Sequence, residues 1–517
     1  MESFLARIGR YFEVDLNIKR PSGRHFAFAL LATAALAGAL VVLTSPWKAF
    51  AIVAGLAVFA LAFYRPEWVI IFLGALIPFE PFLLKFVSDE IYVYARYFSE
   101  SLVYMLLLSV AVRLLVRQKR VVATPLDLPF LFFLLVAASS LVINFVSPVT
   151  GFLGLRQIIR FVLLFFLVVY LDPDRAFIKR FSYIMLGIVL FQGLLGGLQS
   201  LIGGPLDELL IPSERRFFES IQLTTGTTQF WSPGTRVFAT MGRYDQLGTF
   251  LCFFFLIIVG WLYYSQRDKT RQGLLAVLLL AFPGFVMTLS RASWFGFLLG
   301  VLVIGGLLMK DVKVRLAFAG FLVVVLAYLG YTGIVVRYLV DYPGQTPIER
   351  FFEAFSYERW RGEYYGLGRM FWIVQTPLTV VRSSPLFGVG PGQYGGGAAA
   401  ALGNTKVYEQ LNLPFGVSGT EGYIDNNWFS IWGETGTLGL GFYLWMYIAL
   451  ALVALRVWRR SRLPFTRGLA LGYFGCLLAV ALQAFLATYL EVRTLAMYLW
   501  LYGAFLYVLG RHEKIYA

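Results

Sequence analysis

The chain has 517 residues, 59% of them hydrophobic and only 14% charged, with a mean hydropathy of +0.72. Its apolar runs are too many to bury in one water-soluble core, so the composition excludes an ordinary soluble domain and indicates an all-α polytopic membrane protein. The formal net charge of +15 then reads as an orientation signal in a bilayer, and no nucleic-acid partner is needed to explain it.

Residues 1–24 are polar and basic and run straight into an apolar stretch with no small-residue cleavage pattern. They read as a cytoplasmic N-terminal segment before a first transmembrane helix, not as a removed signal peptide. Apolar runs of spanning length begin near His25, Lys48, Glu67, Ser99, Pro125, Gly154, Phe181, Asp245, Gly273, Arg291, Val314, Glu434, Arg467 and Arg493, which predicts about fourteen helices at roughly 20 residues each. The first eleven fall in 25–333 with a periplasmic loop at 203–243. A large periplasmic loop at 334–425 follows, between the eleventh and twelfth helices, and 426–517 holds the last three helices and a short cytoplasmic tail. An even number puts both termini on one side. Lys and Arg gather in segments such as 113–120 and 456–462 while Asp and Glu favour the alternate segments, so that side is the cytoplasm. Tyr and Trp suit membrane interfaces and carbohydrate stacking equally. Cys252 and Cys476, both inside apolar runs, read as small core residues.

On this topology three arginines face one leaflet. Arg156 and Arg160, in GLRQIIRFVLL, are four apart and share a helix face, and Arg291 opens the helix that begins in SRASWFG. Each can be read as a snorkelling side chain at a helix end. Together they also supply what a membrane-anchored phosphate or diphosphate needs, a permanent charge on a bidentate fork, and the joint pattern favours that reading.

The outer loops carry the remaining motifs. Arg236 starts RVFATMG ahead of one helix, while the large loop contains Arg369 and Trp372 in RMFW, the turn PLFGVGPG from Pro385 to Gly392, and the run DNNWFSIWGE from Asp425 to Glu434. The glycines permit tight backbone turns, but neither a P-loop nor a dinucleotide fingerprint is present. With His25 and His512 the only histidines and no closely spaced aspartate pair in these loops, neither a metal nor any other cofactor is expected.

LSRASWFG around Arg291, RMFW with PLFGVGPG, and Asn426 followed by ETGTLG from Glu434 resemble the bacterial O-antigen ligase and O-antigen polymerase family, and RVFATMG resembles the arginine motif that precedes these there. The resemblance covers roughly 236–439. It implies a C-type glycosyltransferase membrane fold in the bacterial inner membrane, acting on the periplasmic face on undecaprenyl-diphosphate-linked glycans. Arg236 and Arg291 would engage the donor diphosphate, with Arg156 and Arg160 as further candidates. Arg369, Trp372, Asn426 and Glu434 would serve the glycan or shape the loop.

One departure bears on mechanism. Ligases of this family typically begin the last motif with a histidine; this chain has Asp425 there. A carboxylate can accept the proton of an attacking sugar hydroxyl, the better if burial raises its pKa, and an Asp before a helix can equally serve as its N-cap. Three functions remain. A polymerase would join one lipid-linked repeat to another, inverting at the anomeric carbon without a metal; a ligase would pass the glycan to a lipid A core; a flippase or transporter would only move it. The aspartate tilts the reading to the polymerase, whose partners are lipid-linked donor and acceptor, membrane lipid and a chain-length regulator.

Overall fold

The computed structural model describes residues 57–117, 122–212, 235–339, 344–417 and 420–516, with Gly55 and the pairs Phe217–Phe218 and Ile221–Gln222. Helices dominate it. The described strands form two small antiparallel hairpins, one pairing Phe217–Phe218 with Ile221–Gln222 and one pairing Gly416–Val417 with Thr420–Glu421.

The expectation of about fourteen spanning helices is corrected. Among the described residues nine helices are long and apolar enough to cross a membrane, or ten if the pair Pro148–Ile159 and Val162–Leu171, bent by 57°, counts as one span. The helices expected from His25 and Lys48 begin outside the described residues, as does segment 1–24. Hydropathy overcounts here for physical reasons. Asp127–Ile143 has 17 residues, about 26 Å at the α-helical rise, short of a full hydrocarbon core. Arg493–His512, with Tyr498, Trp500, Tyr502 and Tyr507 along it, is not among the helices apolar enough to cross, and it is buried in the protein from Thr494 to Gly510. Without the count, the even-number argument for both termini on one side falls, and so does the numbering that placed the large loop between the eleventh and twelfth spans.

Elsewhere in the bundle helices come close because small residues let backbones meet. A Cβ on Gly260, in Tyr244–Tyr264, would lie 2.3 Å from the carbonyl oxygen of Gly468, in Pro464–Leu486. Gly193 and Gly284 make the same approach between Arg175–Ile202 and Asp268–Met287, where an added Cβ at 284 would stand 2.2 Å from Gly193 O. Cys476 donates to the Phe253 carbonyl and Cys252 accepts from Gln483, and both cysteines are free and buried. Val312–Tyr331 sits at the opposite extreme, with only Val325 buried, as a helix surrounded by hydrocarbon should be.

Candidate functional site

Four chain segments meet at one end of the bundle and each begins with a strained turn. Ala239, Leu289, Leu367 and Asp425 all have positive φ, from 47° to 60°, although none is glycine. Left-handed backbone in such residues costs on the order of 1–3 kcal/mol and persists only where the surroundings impose it. Leu289 stands two residues before Arg291 and Leu367 two before Arg369, while Ala239 leads into Arg243 and Asp245. At these four positions the left-handed residue either precedes a charged residue of the site or, at Asp425, is one.

The large loop supplies the framework. Trp372, Tyr394, Tyr408, Val380, Val389, Val407 and Ile424 form a second hydrophobic core, in which the Tyr394 and Tyr408 rings stack at 5.4 Å and Trp372 meets both edge-on at 6.0 Å. Trp372 is fully buried and its indole N–H donates to Leu367 O at 3.1 Å, so it braces the strained turn ahead of Arg369. Ile424 anchors one side of Asp425. On the other side Asn426, not Asp425, caps the helix Asn427–Arg460 by accepting from the Phe429 N–H at 3.1 Å.

The two glycine-containing motifs are halves of one construction. The helix Asn427–Arg460 kinks at Gly436 (φ 68°), and the PLFGVGPG turn lies against the kink. Val389 and Gly390 donate to the carbonyls of Gly433 and Glu434 at 2.9 Å, and Thr437 donates to Pro385 O at 2.9 Å. The Glu434 side chain accepts from the backbone N–H groups of Gly392 at 2.9 Å and Tyr394 at 3.3 Å. Glu434 thus closes the turn, and the motif glycines are there because backbones touch.

Asp425 itself is only loosely held. Its carboxylate lies 3.5 Å from Arg369 Nη2, with 29% of its side chain exposed, which is an ion pair but not a hydrogen bond. Arg369 Nε is buried without a hydrogen-bond partner. Withdrawal from water pushes the Asp425 carboxyl above its ordinary value, against the pull of Arg369 and Arg243, while Glu363 and Asp245 push the same way. The neighbouring Glu363 is held low: burial works against it, but Arg369 and Arg359 prevail. Two carboxyl groups pushed apart in this manner are suited to different tasks, one to exchange protons and one to stay ionised.

Around this pair, Arg243 bonds Asp245 at 3.0 Å and Tyr489 reaches the same carboxylate at 3.4 Å. Arg236 stacks over the Tyr244 ring at 4.3 Å. Arg291 pairs with Glu353 at 2.9 Å. Arg156 and Arg160 do share a face, as their spacing predicts, and both meet Glu100, Arg160 at 3.2 Å. Arg160 also donates to Glu491 O at 2.8 Å. They belong to a neighbouring buried network in which Arg493 binds Glu80 at 2.8 Å and Glu491 ties Gln157, Gly397 and Asn427 together. Sequence reading missed Arg243, Glu353 and Arg359 as site groups. Arg243 could have been found, since RYD follows RVFATMG directly at the start of a helix.

Fold and site together define an all-α multi-pass membrane protein whose charged, strained site is built at one end of its helix bundle by an ordered loop. No protein-family model matches the chain, and no curated protein matches it.

Proposed function

We propose that the protein is a glycan polymerase that transfers an undecaprenyl-diphosphate-linked oligosaccharide onto another lipid-linked repeat, at the periplasmic face of a bacterial inner membrane. The observation that carries this reading is Asp425: a strained, loosely paired carboxylate with a raised pKa, relieved of capping by Asn426 and set beside Arg369. The resemblance of the Arg236, Arg291, Pro385–Gly392 and Glu434–Gly439 motifs to the O-antigen ligase and polymerase family supports it.

In the reaction a hydroxyl of the acceptor repeat attacks the anomeric carbon of the donor sugar. The new glycosidic bond forms as the bond from that carbon to the diphosphate oxygen breaks, and the electron pair leaves with the diphosphate. Asp425 takes the hydroxyl proton. Arg291, Arg369 and Arg243 surround the site with fixed positive charge where the leaving diphosphate gathers negative charge, which is the largest single lever such a site has. The outer-face assignment is supported by charge at the far end of the same helices. There Arg456 lies over Tyr516, Arg467 over Tyr264, and Lys179 over Phe465, a basic end of the kind retained in the cytoplasm.

The test is the lipid-linked glycan profile of cells lacking the protein. Accumulated single repeats are the expected result. Accumulated long chains would mean a ligase, and repeats trapped on the cytoplasmic face would mean a flippase; either would overturn the proposal.

A further inference from the structure

Tyr423 and Arg96 lie outside every motif the sequence singled out. From Gly422 to Asn426 the chain alternates, with Gly422, Ile424 and Asn426 buried and Tyr423 and Asp425 half-open. Successive side chains of an extended stretch point to opposite sides, so Tyr423 leaves the loop core that Ile424 enters and opens to the side of Asp425. The hairpin before it fixes the backbone: Val417 N–H donates to Tyr423 O at 2.7 Å, and Gly422 N–H to Phe415 O at 3.1 Å. The Tyr423 hydroxyl has no hydrogen-bond partner among the described residues, although Asp425, Arg243, Arg96 and Glu491 all lie within its electrostatic reach.

Arg96 ends the short helix Asp89–Arg96, far away in the chain, and it too is half-buried. Its guanidinium makes no hydrogen bond or ion pair among the described residues. The carboxylate within its reach, Glu80, is already bound by Arg493 at 2.8 Å and Ser99 at 2.6 Å. Backbone contacts bring Arg96 and Tyr423 together. Arg493 donates to Arg96 O at 2.9 Å, and two residues earlier Glu491 accepts from Gly397 N–H at 2.9 Å. The helix Gly397–Leu402 in turn touches Gly422, where an added Cβ would stand 2.4 Å from Ala400 Cα.

Asp425 therefore has two sets of neighbours. Arg369 and Glu363 act on it from the large loop, and Arg369 acts on Arg291 in turn. Tyr423 brings in the second set, Arg96 and Glu491, from the other charged network. A sugar ring suits that second set, because its hydroxyl groups both donate and accept around an apolar ring face. A phenol with an uncommitted O–H and a guanidinium with uncommitted N–H groups answer the hydroxyls, and the flat tyrosine ring answers the face.

We propose that Tyr423 and Arg96 form the acceptor subsite, where they hydrogen-bond the terminal sugar of the acceptor repeat and hold it beside Asp425. This rests on the transfer reaction of the proposed function and adds how its second substrate is held.

The experiment separates the two substrates by offering the repeat unit as its octyl glycoside, which can accept a sugar but has no diphosphate to give up. The full chain in lipid nanodiscs transfers to it from a lipid-diphosphate-linked donor. Tyr423→Phe, which deletes one oxygen, should raise the acceptor KM by roughly three- to tenfold and leave kcat and the donor KM nearly unchanged. Arg96→Gln should raise the acceptor KM by about tenfold or more. Tyr94→Phe, on the same helix as Arg96 but 78% exposed, should match wild type. A wild-type acceptor KM in Tyr423→Phe at wild-type melting temperature overturns the proposal, as does an equal rise in the donor KM. If Tyr423→Phe does not fold, Arg96→Gln decides by the same criteria. No transfer by the wild type to either the glycoside or a lipid-linked repeat would instead sink the proposed reaction itself.

Discussion

At the scale of single residues, Asn426 caps the helix Asn427–Arg460, and the proposed general base is its neighbour Asp425. Asp425→Asn should lower chain growth by roughly 10² to 10⁴ if it removes a general base, whereas Asn426→Ala should cost about 1 kcal/mol of stability as a lost cap; rate assays and thermal unfolding separate the two. The pH dependence has a definite sign. A base works when deprotonated, so activity should fall as pH drops through the Asp425 pKa, and with that pKa raised the fall should lie above the usual aspartate value of about 3.9. Stability runs the other way. A carboxyl with a raised folded pKa contributes most below its unfolded value and loses that contribution as pH rises through the folded one. Asp425→Asn should therefore be more stable than wild type at neutral pH and lose that advantage near pH ~4, as expected where a site trades stability for function.

At the scale of elements, the Pro385–Gly392 turn and the Gly436 kink form one joint. A Cβ on Gly388 would stand 2.5 Å from Gly433 O, and one on Gly436 would stand 2.3 Å from Leu386 O, both glycines having positive φ. Gly388→Ala should thus lower the yield of folded protein, measured as monodisperse material after extraction. Glu434→Ala should cost about 1–3 kcal/mol by leaving two backbone donors unpaired, while Glu434→Gln, whose amide oxygen still accepts from Gly392 and Tyr394, should retain most chain growth. A large loss of activity in Glu434→Gln with an intact fold would assign Glu434 to the chemistry instead. These motifs were legible as a pattern of residues, but their meaning was not: glycine spacing shows that backbones come close without showing which backbones. The same limit applies to Trp372, expected to serve the glycan or shape the loop, which packs in the loop core. Strain at Ala239, Leu289 and Leu367 left no trace in the sequence, because ordinary residues occupy the left-handed positions.

At the scale of the whole molecule, the membrane class followed from composition, while the helix count failed where apolar character and spanning part company. Arg493–His512 is not among the helices apolar enough to span, and the apolar run around Arg156 and Arg160 is broken by a 57° bend. What survives is polarity between the two ends, a site with Asp425 at one and a basic rim at the other. A reporter fused after Gly403, an exposed loop residue, should read the outer compartment, and one fused after Ser265 should read the cytoplasm. Matching signals from both positions would remove the proposed face.

The most direct measurement is reconstitution of the purified protein with a single lipid-diphosphate-linked repeat unit. Wild type should produce a ladder of longer glycans and release one lipid diphosphate per bond formed. Asp425→Asn, folded and still binding the lipid-linked repeat, should leave that repeat unextended. A full ladder from Asp425→Asn, or no ladder from the wild type under conditions where it binds the repeat, would contradict the account.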